Sequence, residues 1–205
     1  AYIWVPNTGD GGFTSFNRYF FAQQDKAGAV IDERFNGGGT ADDYMVDITA
    51  RVRRSGFTNE AEGGRPTQMP QGITGPKVML INELAGSGGD YFPWSFRLLK
   101  VGPLIGMRTW GGLVANASPY LLIDGGRVTT PFPALFDPAT NQWIAENEGV
   151  PPDIEVYNDA KAVAAGRDPQ LERAVAETLR RIQEANVRPL TPPPFPRPYR
   201  RPGGN

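Results

Sequence analysis

The amino-acid sequence predicts an α/β fold in which helices cover a parallel sheet. Apolar, strand-like runs alternate with helical patterns through the first hundred residues, and this alternation is typical of parallel sheets. Two of the runs, residues 29–31 and 78–81, are apolar at every position, as strands buried on both faces of a sheet are. A chain of 205 residues is long enough for one domain with a well-buried core.

The predicted elements follow one another in strand–helix pairs. Strands are predicted over residues 2–5, 28–35 and 77–83, and each is followed by a helix, over residues 13–23, 44–53 and 88–100. A β-rich stretch follows from Leu104 to Thr130, in which residues 120–123 and 127–129 flank an Asp-Gly-Gly turn and predict a hairpin, so we expect this stretch to be an appended antiparallel piece. Residues 58–73 are polar and rich in glycine and proline, so they predict a surface loop.

The last helix has clear signals at its start. Asp168 occupies the N-cap position and Pro169 the first turn, where these residue types are favoured. Apolar residues follow at helical spacing and predict a stripe that packs on the sheet, namely Leu171, Val175, Leu179 and Ile182. Residues 188–205 are rich in proline, which favours polyproline II. We therefore expect one domain over residues 1–187 and a mobile tail after it.

Composition excludes several classes of function. The 21 basic and 22 acidic residues give a net charge of −1, so neither nucleic acid nor a membrane surface is an expected partner. No apolar run approaches the roughly 20 residues of a transmembrane helix, and no signal peptide opens the chain. The absence of cysteine excludes disulfides and thiolate chemistry, and it leaves both the cytosol and the periplasm open.

The chain also contains no histidine. A zinc site would have to be built from carboxylates alone, and the usual general base of a hydrolase is missing. We predict no metal and no cofactor. The sequence begins inside a strand-like run and without methionine, so we interpret it as part of a longer protein.

Ser87 is the strongest candidate for a reactive side chain. It lies in NELAGSGGD, where a buried strand ends in a glycine turn that opens a helix. The helix dipole and the free amides at such a position favour negative charge. A simple N-cap is the ordinary alternative. A P-loop would need Lys-Ser/Thr after the glycines, and an α/β-hydrolase elbow would need glycine in place of Ala85 and a later histidine.

Two further motifs could contribute to the same site. The run DERFNGGG, residues 32–39, is again a strand followed by a glycine loop, whose amides could face a substrate oxygen or form an ordinary turn. The run WIAENEGVPPD, residues 143–153, places an acid beside an Asn-x-Gly turn, although a solvated surface glutamate would look the same. Neither motif, taken alone, establishes a function.

The motifs RFNGGG, NELAGSGGD, RTWGG and ENEGVPPD, in this order, closely resemble the carboxy-terminal catalytic region of the tricorn protease family. The resemblance runs from the opening YIWVPNTGDGG to the helix LERAVAETLRRI. This family is a branch of the tail-specific or carboxy-terminal processing peptidases. The resemblance implies an α/β core like those of the Clp protease and crotonase folds. It also implies a serine-type peptidase that acts on short peptides or unfolded protein.

The resemblance implies roles for individual residues. Ser87 corresponds to the family's catalytic serine, and the amides of Gly88 and Gly39 correspond to its oxyanion hole, with Gly38 as the near alternative to Gly39. Glu146 corresponds to a glutamate in a hydrogen-bonded relay with a serine and the catalytic histidine. That histidine lies upstream in the family. We therefore expect the complete enzyme to carry it on an upstream segment, and this chain alone to be inactive.

Other implications of the resemblance are looser. An acid that selects basic P1 side chains in the archaeal family member falls near Thr58, and Glu60 or Glu62 could replace it. None of the four lysines matches the lysine of a Ser/Lys dyad, and Arg108 is too basic to deprotonate. Homo-oligomerisation and a cytoplasmic location are family expectations, with an exported location also open. A non-catalytic peptide-binding or interaction module is the alternative function.

Overall fold

Strand and helix alternate along the computed structural model, which describes residues 1–59, 63–64, 66–117 and 120–195. In chain order the elements are β1 (Tyr2–Trp4), α1 (Asp10–Ala22), β2 (Ala29–Asp32), α2 (Asp42–Thr49), β3 (Ser55–Phe57), β4 (Thr67–Met69), β5 (Lys77–Ile81), α3 (Gly88–Leu98), β6 (Leu104–Gly106), β7 (Asn116–Ala117), β8 (Thr130–Pro131), β9 (Phe136–Asp137), β10 (Gln142–Trp143), β11 (Ile154–Glu155), α4 (Ala160–Ala164) and α5 (Pro169–Ala185). No helix in these ranges combines the length and apolarity that crossing a bilayer requires.

Five of the strands form one parallel sheet. Its order is β1-β2-β5-β6-β11, and all four pairings are parallel. The predicted α/β fold is therefore confirmed. Every residue of β2 and β5 is buried, which explains why these two strands are apolar at successive positions instead of alternating. The small sheets β3–β4, β7–β8 and β9–β10 are antiparallel.

Side chains on the two faces of the parallel sheet enter two separate core clusters. Ile31 and Met79 pack with the buried phenylalanines of α1 and α3. Val30 and Val78, one position earlier on the same strands, pack with Ala174 of α5. This division follows from the period of two along a strand, which sends successive side chains to opposite faces. Helices thus cover both faces of the sheet.

The predicted packing stripe of α5 is partly wrong. The helix itself and its Asp168 cap are as predicted, with Pro169 in the first turn. However, Val175 and Leu179 are 42% and 55% exposed. The residues that the helix buries are Gln170, Ala174, Glu177 and Thr178. The small Ala174 side chain lets the helix lie close to the sheet, and the buried polar residues have hydrogen-bond partners, so apolarity alone does not select the buried face.

The antiparallel pieces also differ from the prediction. Residues 58–73, predicted as a loop, contain β4, which pairs with β3. The predicted hairpin around residues 120–129 is reduced to one bridge between Leu121 and Arg127. Strands of two or three exposed residues are too short for alternation to be visible in a sequence.

The proline-rich segment begins after α5. Residues 188–195 contain no helix or strand, and the Arg188 carbonyl accepts a hydrogen bond from Arg53 at 3.0 Å. Residues 196–205 of the predicted tail lie outside the described residues. The mobility of the tail and the boundary at residue 187 stay predictions.

Candidate active site

Three loops meet at one edge of the sheet, because parallel strands all end on the same side. They follow β2, β5 and β6. The first two are joined by a hydrogen bond from the Gly86 amide to the Asn36 carbonyl at 2.9 Å, and the last two by one from the Trp110 amide to the Ala85 carbonyl at 2.8 Å. In the described ranges, no three acidic side chains converge as a metal site.

Ser87 lies where the second loop enters α3. It occupies the N-cap position, but its φ of 58° and ψ of −117° differ from the extended backbone usual for a cap. A positive φ in a residue other than glycine is costly and clusters at functional sites. The Ser87 amide donates to Asp90 Oδ2 in the first turn of α3 at 2.9 Å, as in a capping box, and to the Gly112 carbonyl at 3.1 Å. The backbone geometry therefore goes beyond what an ordinary cap requires.

Gly38, in the loop after β2, faces the Ser87 side chain. Its φ is +95°, and a Cβ added there would lie 2.7 Å from Ser87 Cβ and 2.9 Å from Ser87 Oγ. The Gly38 amide is occupied, because it donates to Asn36 Oδ1 at 2.9 Å. Gly38 therefore leaves room for the Ser87 side chain but has no free amide to offer a substrate.

Gly39 and Gly88 present the free amides of the site. Within the described residues neither amide donates to a protein acceptor. The two residues are in close contact, since a Cβ built on Gly88 would lie 3.0 Å from the Gly39 nitrogen and 2.1 Å from Thr8 Oγ1. Two adjacent free amides beside a serine can stabilise an oxyanion. This geometry favours Gly39 over Gly38 as the partner of Gly88.

Asp90 is a site residue that the sequence reasoning missed. It is fully buried, and its carboxylate accepts hydrogen bonds from the Ser87, Gly111 and Gly112 amides and from Thr109 Oγ1 at 2.5–3.0 Å. Burial raises the pKa of the Asp90 carboxyl, and these hydrogen bonds oppose that shift. An acid three residues after a serine N-cap is a recognisable signal. Its contacts to the third loop, however, depend on the tertiary fold.

Glu146 is connected to the same third loop. Its Oε2 accepts hydrogen bonds from the amides of Leu113 at 2.8 Å and Val114 at 2.6 Å. Its other oxygen, Oε1, accepts none from the described residues. The half-buried Glu146 also lines a cavity of about 240 Å³. The Gly112 carbonyl accepts from the Ser87 amide. Residues 112–114 therefore link Glu146 to Ser87, although the two residues share no direct hydrogen bond.

Trp110 covers this edge of the sheet. Its indole is 69% exposed, yet a Cβ on Gly86 would lie 2.5 Å from the ring and one on Gly112 2.3 Å from it. The two glycines therefore allow the ring to approach the Ser87 loop closely. The sequence motif RTWGG thus supplies both a covering ring and, through Gly112, a backbone contact to Ser87.

Thr58 is not brought to Ser87. It follows β3, and α2 carries the chain to β3 from the edge at which Ser87 lies to the opposite edge of the sheet. Gly56, two residues before Thr58, lies against Leu190 beyond the end of α5, since a Cβ on Gly56 would be 3.0 Å from that side chain. Two cavities of about 510 and 520 Å³ lie at that opposite edge. Glu60 and Glu62 are outside the described residues. The predicted substrate contact of Thr58 has no support within this one chain.

Lys77 also lies at the opposite edge. It is the first residue of β5, and its Nζ donates to the Gly75 carbonyl at 3.0 Å. Burial lowers the pKa of its amine to about 8. A lysine with such a pKa could act as a base, but its place at the start of the strand separates it from Ser87, which follows the strand's end.

Comparison with known proteins shows which family has this sequence. The sequence profile of peptidase family S41 matches residues 1–156. Tricorn protease homolog 1 of Streptomyces coelicolor is 38% identical over 197 residues, which are 96% of this chain and 18% of the relative. Tricorn protease of Thermoplasma volcanium is 34% identical over 91% of this chain and 18% of the relative.

The solved structures give the same result. The crystal structure of the tricorn protease superposes with a TM-score of 0.83 at 33% identity, covering 89% of this chain and 18% of that chain. This chain therefore spans about a fifth of the length of these curated relatives.

Proposed function

Because this chain belongs to peptidase family S41, we propose that it is the nucleophile-bearing catalytic region of a serine peptidase, with Ser87 as the nucleophile. The observation that carries this proposal is the position of Ser87. It stands with positive φ at the start of α3, beside the free amides of Gly39 and Gly88. The proposed substrates are peptide bonds of short peptides or unfolded protein.

In the proposed reaction, Ser87 Oγ attacks the carbonyl carbon of a peptide bond. A histidine outside these 205 residues takes the Ser87 proton and then gives it to the leaving amine, and water hydrolyses the resulting acyl-enzyme. The Gly39 and Gly88 amides hold the oxyanion, and the dipole of α3 favours the same negative charge. Glu146 orders the histidine relay through Oε1, which accepts no hydrogen bond from the described part of the chain. The 205 residues alone should show no significant turnover, since they contain no histidine.

A serine-directed fluorophosphonate probe tests this proposal on the complete protein. The expected result is one adduct, located on Ser87 by peptide mass spectrometry, together with loss of hydrolysis of a fluorogenic peptide. A non-catalytic peptide-binding module would not react with the probe. Absence of an adduct, or an adduct on another serine, would contradict the nucleophile assignment.

Alanine at Gly38 should slow labelling of Ser87 by about tenfold or more, because misplacing a reacting group by a fraction of an ångström is costly. The added methyl group would collide with Ser87 Cβ and Oγ. Gly37→Ala is the matched control, since nothing lies within 4 Å of a Cβ at that position, and its labelling rate should stay within about twofold. Equal labelling of the two variants would show that Gly38 does not shape the nucleophile position.

Glu146→Gln should lower kcat/KM of the complete protein by about 10- to 100-fold, the size of effect found when a carboxylate that orients a metal-bound histidine is replaced. Stability should change little, because the glutamine oxygen can still accept from the amides of Leu113 and Val114. Glu148→Gln, an exposed neighbour in the same turn, is the control. Urea unfolding measures stability, and unchanged hydrolysis in Glu146→Gln would remove Glu146 from the relay.

A further inference from the structure

Glu33 is a fully buried acid below the Ser87 site that the proposed reaction does not use. It follows β2 directly, its side chain is 0% exposed, and its amide donates to the Leu80 carbonyl of β5 at 3.1 Å. Its Oε2 accepts one hydrogen bond, from Asn36 Nδ2 at 3.2 Å. Its Oε1 is buried and has no partner in the described part of the chain.

Among the residues that the structure describes, no positive charge compensates Glu33. The charged groups that act on it are Asp32, its neighbour on β2, and Asp90 on α3, and both are acidic. The adjacent Arg34 is committed elsewhere, since its guanidinium donates to Asp32 at 2.7 and 2.9 Å and to Asp168 at 3.0 Å. The contact from β5 is the Leu80 carbonyl, which accepts from the Glu33 amide. Burial therefore raises the pKa of Glu33 well above its ordinary value.

Asn36 connects Glu33 to the two glycine loops. While its Nδ2 donates to Glu33, its Oδ1 accepts from the Gly38 amide at 2.9 Å and its carbonyl accepts from the Gly86 amide at 2.9 Å. One side chain and one carbonyl thus set the relative position of the loop after β2 and the loop that carries Ser87. The only side-chain acceptor that orients the Asn36 amide group among the described residues is Glu33.

We propose that Glu33 is held as a neutral carboxylic acid beneath the site, where it positions Asn36 and, through Asn36, the glycine loops on both sides of Ser87. Its part in catalysis rests on the proposed function above, whereas its neutral state does not. A neutral acid can accept from Asn36 without bringing a third negative charge beside Asp32 and Asp90. Glu33 is a positioning residue, because it touches neither substrate nor the reacting atoms.

The neutral state is tested by folding stability against pH, measured on this chain by urea unfolding. Free glutamate titrates near pH 4.3. Above that pH the unfolded chain loses the Glu33 proton while the folded chain keeps it, so rising pH disfavours folding until the folded-state pKa is passed. The unfolding equilibrium constant of the wild type, divided by that of Glu33→Gln, should therefore rise about tenfold per pH unit between the pKa of free glutamate and the folded-state pKa of Glu33.

Glu83→Gln is the control, because Glu83 is an acid in the loop that follows β5 and is exposed. Its ratio to the wild type should show no comparable slope. A ratio for Glu33→Gln that stays as flat as that for Glu83→Gln would overturn the neutral state. This outcome is independent of whether the complete protein is a peptidase.

The positioning role is tested by hydrolysis in the complete protein. Glu33→Leu removes the acceptor of the Asn36 amide group and should lower kcat by about tenfold or more with little change in KM. The conservative Glu33→Gln should rescue kcat, since its amide oxygen still accepts from Asn36, and should remove the alkaline loss of activity that Glu33 ionisation causes. Wild-type kcat in Glu33→Leu, or an unchanged alkaline limb in Glu33→Gln, would overturn the role.

Discussion

Replacing Ser87 by alanine should lower peptide hydrolysis by the complete protein about 10⁴-fold or more. Loss of the nucleophile removes the covalent route entirely, and the oxyanion amides alone supply only a residual acceleration. Alanine fits the site, because it removes only the hydroxyl and leaves the amide contacts of residue 87 to Asp90 and Gly112 in place. The measurement is kcat/KM with a fluorogenic tripeptide or tetrapeptide, beside a urea unfolding curve.

The control for this variant is Ser55→Ala, because Ser55 is exposed on β3 at the opposite edge of the sheet. It should hydrolyse the peptide like the wild type. The free energy of unfolding of both variants, measured in urea, should equal that of the parent within about 0.5 kcal/mol. Retained hydrolysis in a folded Ser87→Ala protein would assign the chemistry to another residue.

Three strands of the parallel sheet, β1, β2 and β5, could be predicted from sequence because they have a local signal. The sequence predicts β6 (Leu104–Gly106) as part of the antiparallel piece, and that prediction is wrong because β6 pairs in parallel with β5 and β11. Residues 29–31 of β2 and 78–81 of β5 are apolar at successive positions, and each run is followed by a glycine loop and a helix. β4 has no such signal, since it is three residues long with its first and last residues exposed. The face of α5 could not be predicted because Val175 and Leu179 are as apolar as a core requires, yet they are exposed. Gln170 is buried against partners distant in sequence, Arg34 and the Val156 carbonyl, whereas the buried Glu177 is paired with arginines of the same helix.

The site divides in the same way. Two short glycine motifs contain Ser87 in one case and Gly38 and Gly39 in the other, so each motif can be recognised along the chain. The choice between Gly38 and Gly39 as a free amide depends on the Asn36 side chain, which no linear pattern displays. Thr58 was expected beside the site, but only the course of α2 across the sheet shows which edge it occupies.

Asp90 brings these local motifs together. Ser87 and Asp90 lie in one motif and Gly111 and Gly112 in another, more than 20 residues apart. The Asp90 carboxylate is the shared acceptor, and it also accepts from Thr109, whose hydroxyl in turn accepts from the Val150 amide at 2.7 Å. One buried side chain thus adds to the backbone hydrogen bonds, such as those from Trp110 to Ala85 and from Asn147 to Gly111, that hold the Ser87 loop, the RTWGG segment and the Glu146 turn together.

Asp90→Asn should consequently destabilise the fold by about 2–4 kcal/mol. Each carboxylate oxygen of Asp90 accepts hydrogen bonds from two donors. In asparagine one of these oxygens becomes an NH2 group, which cannot accept from the two donors that face it. Each buried donor left unpaired costs about 1–3 kcal/mol. Urea unfolding of this chain measures the loss, and Asp47→Asn, on the exposed face of α2, should stay within about 0.5 kcal/mol. Stability equal to the control would mean that the site does not depend on Asp90. Slower fluorophosphonate labelling in the complete Asp90→Asn protein should accompany the loss, because the Ser87 amide is one of the donors involved.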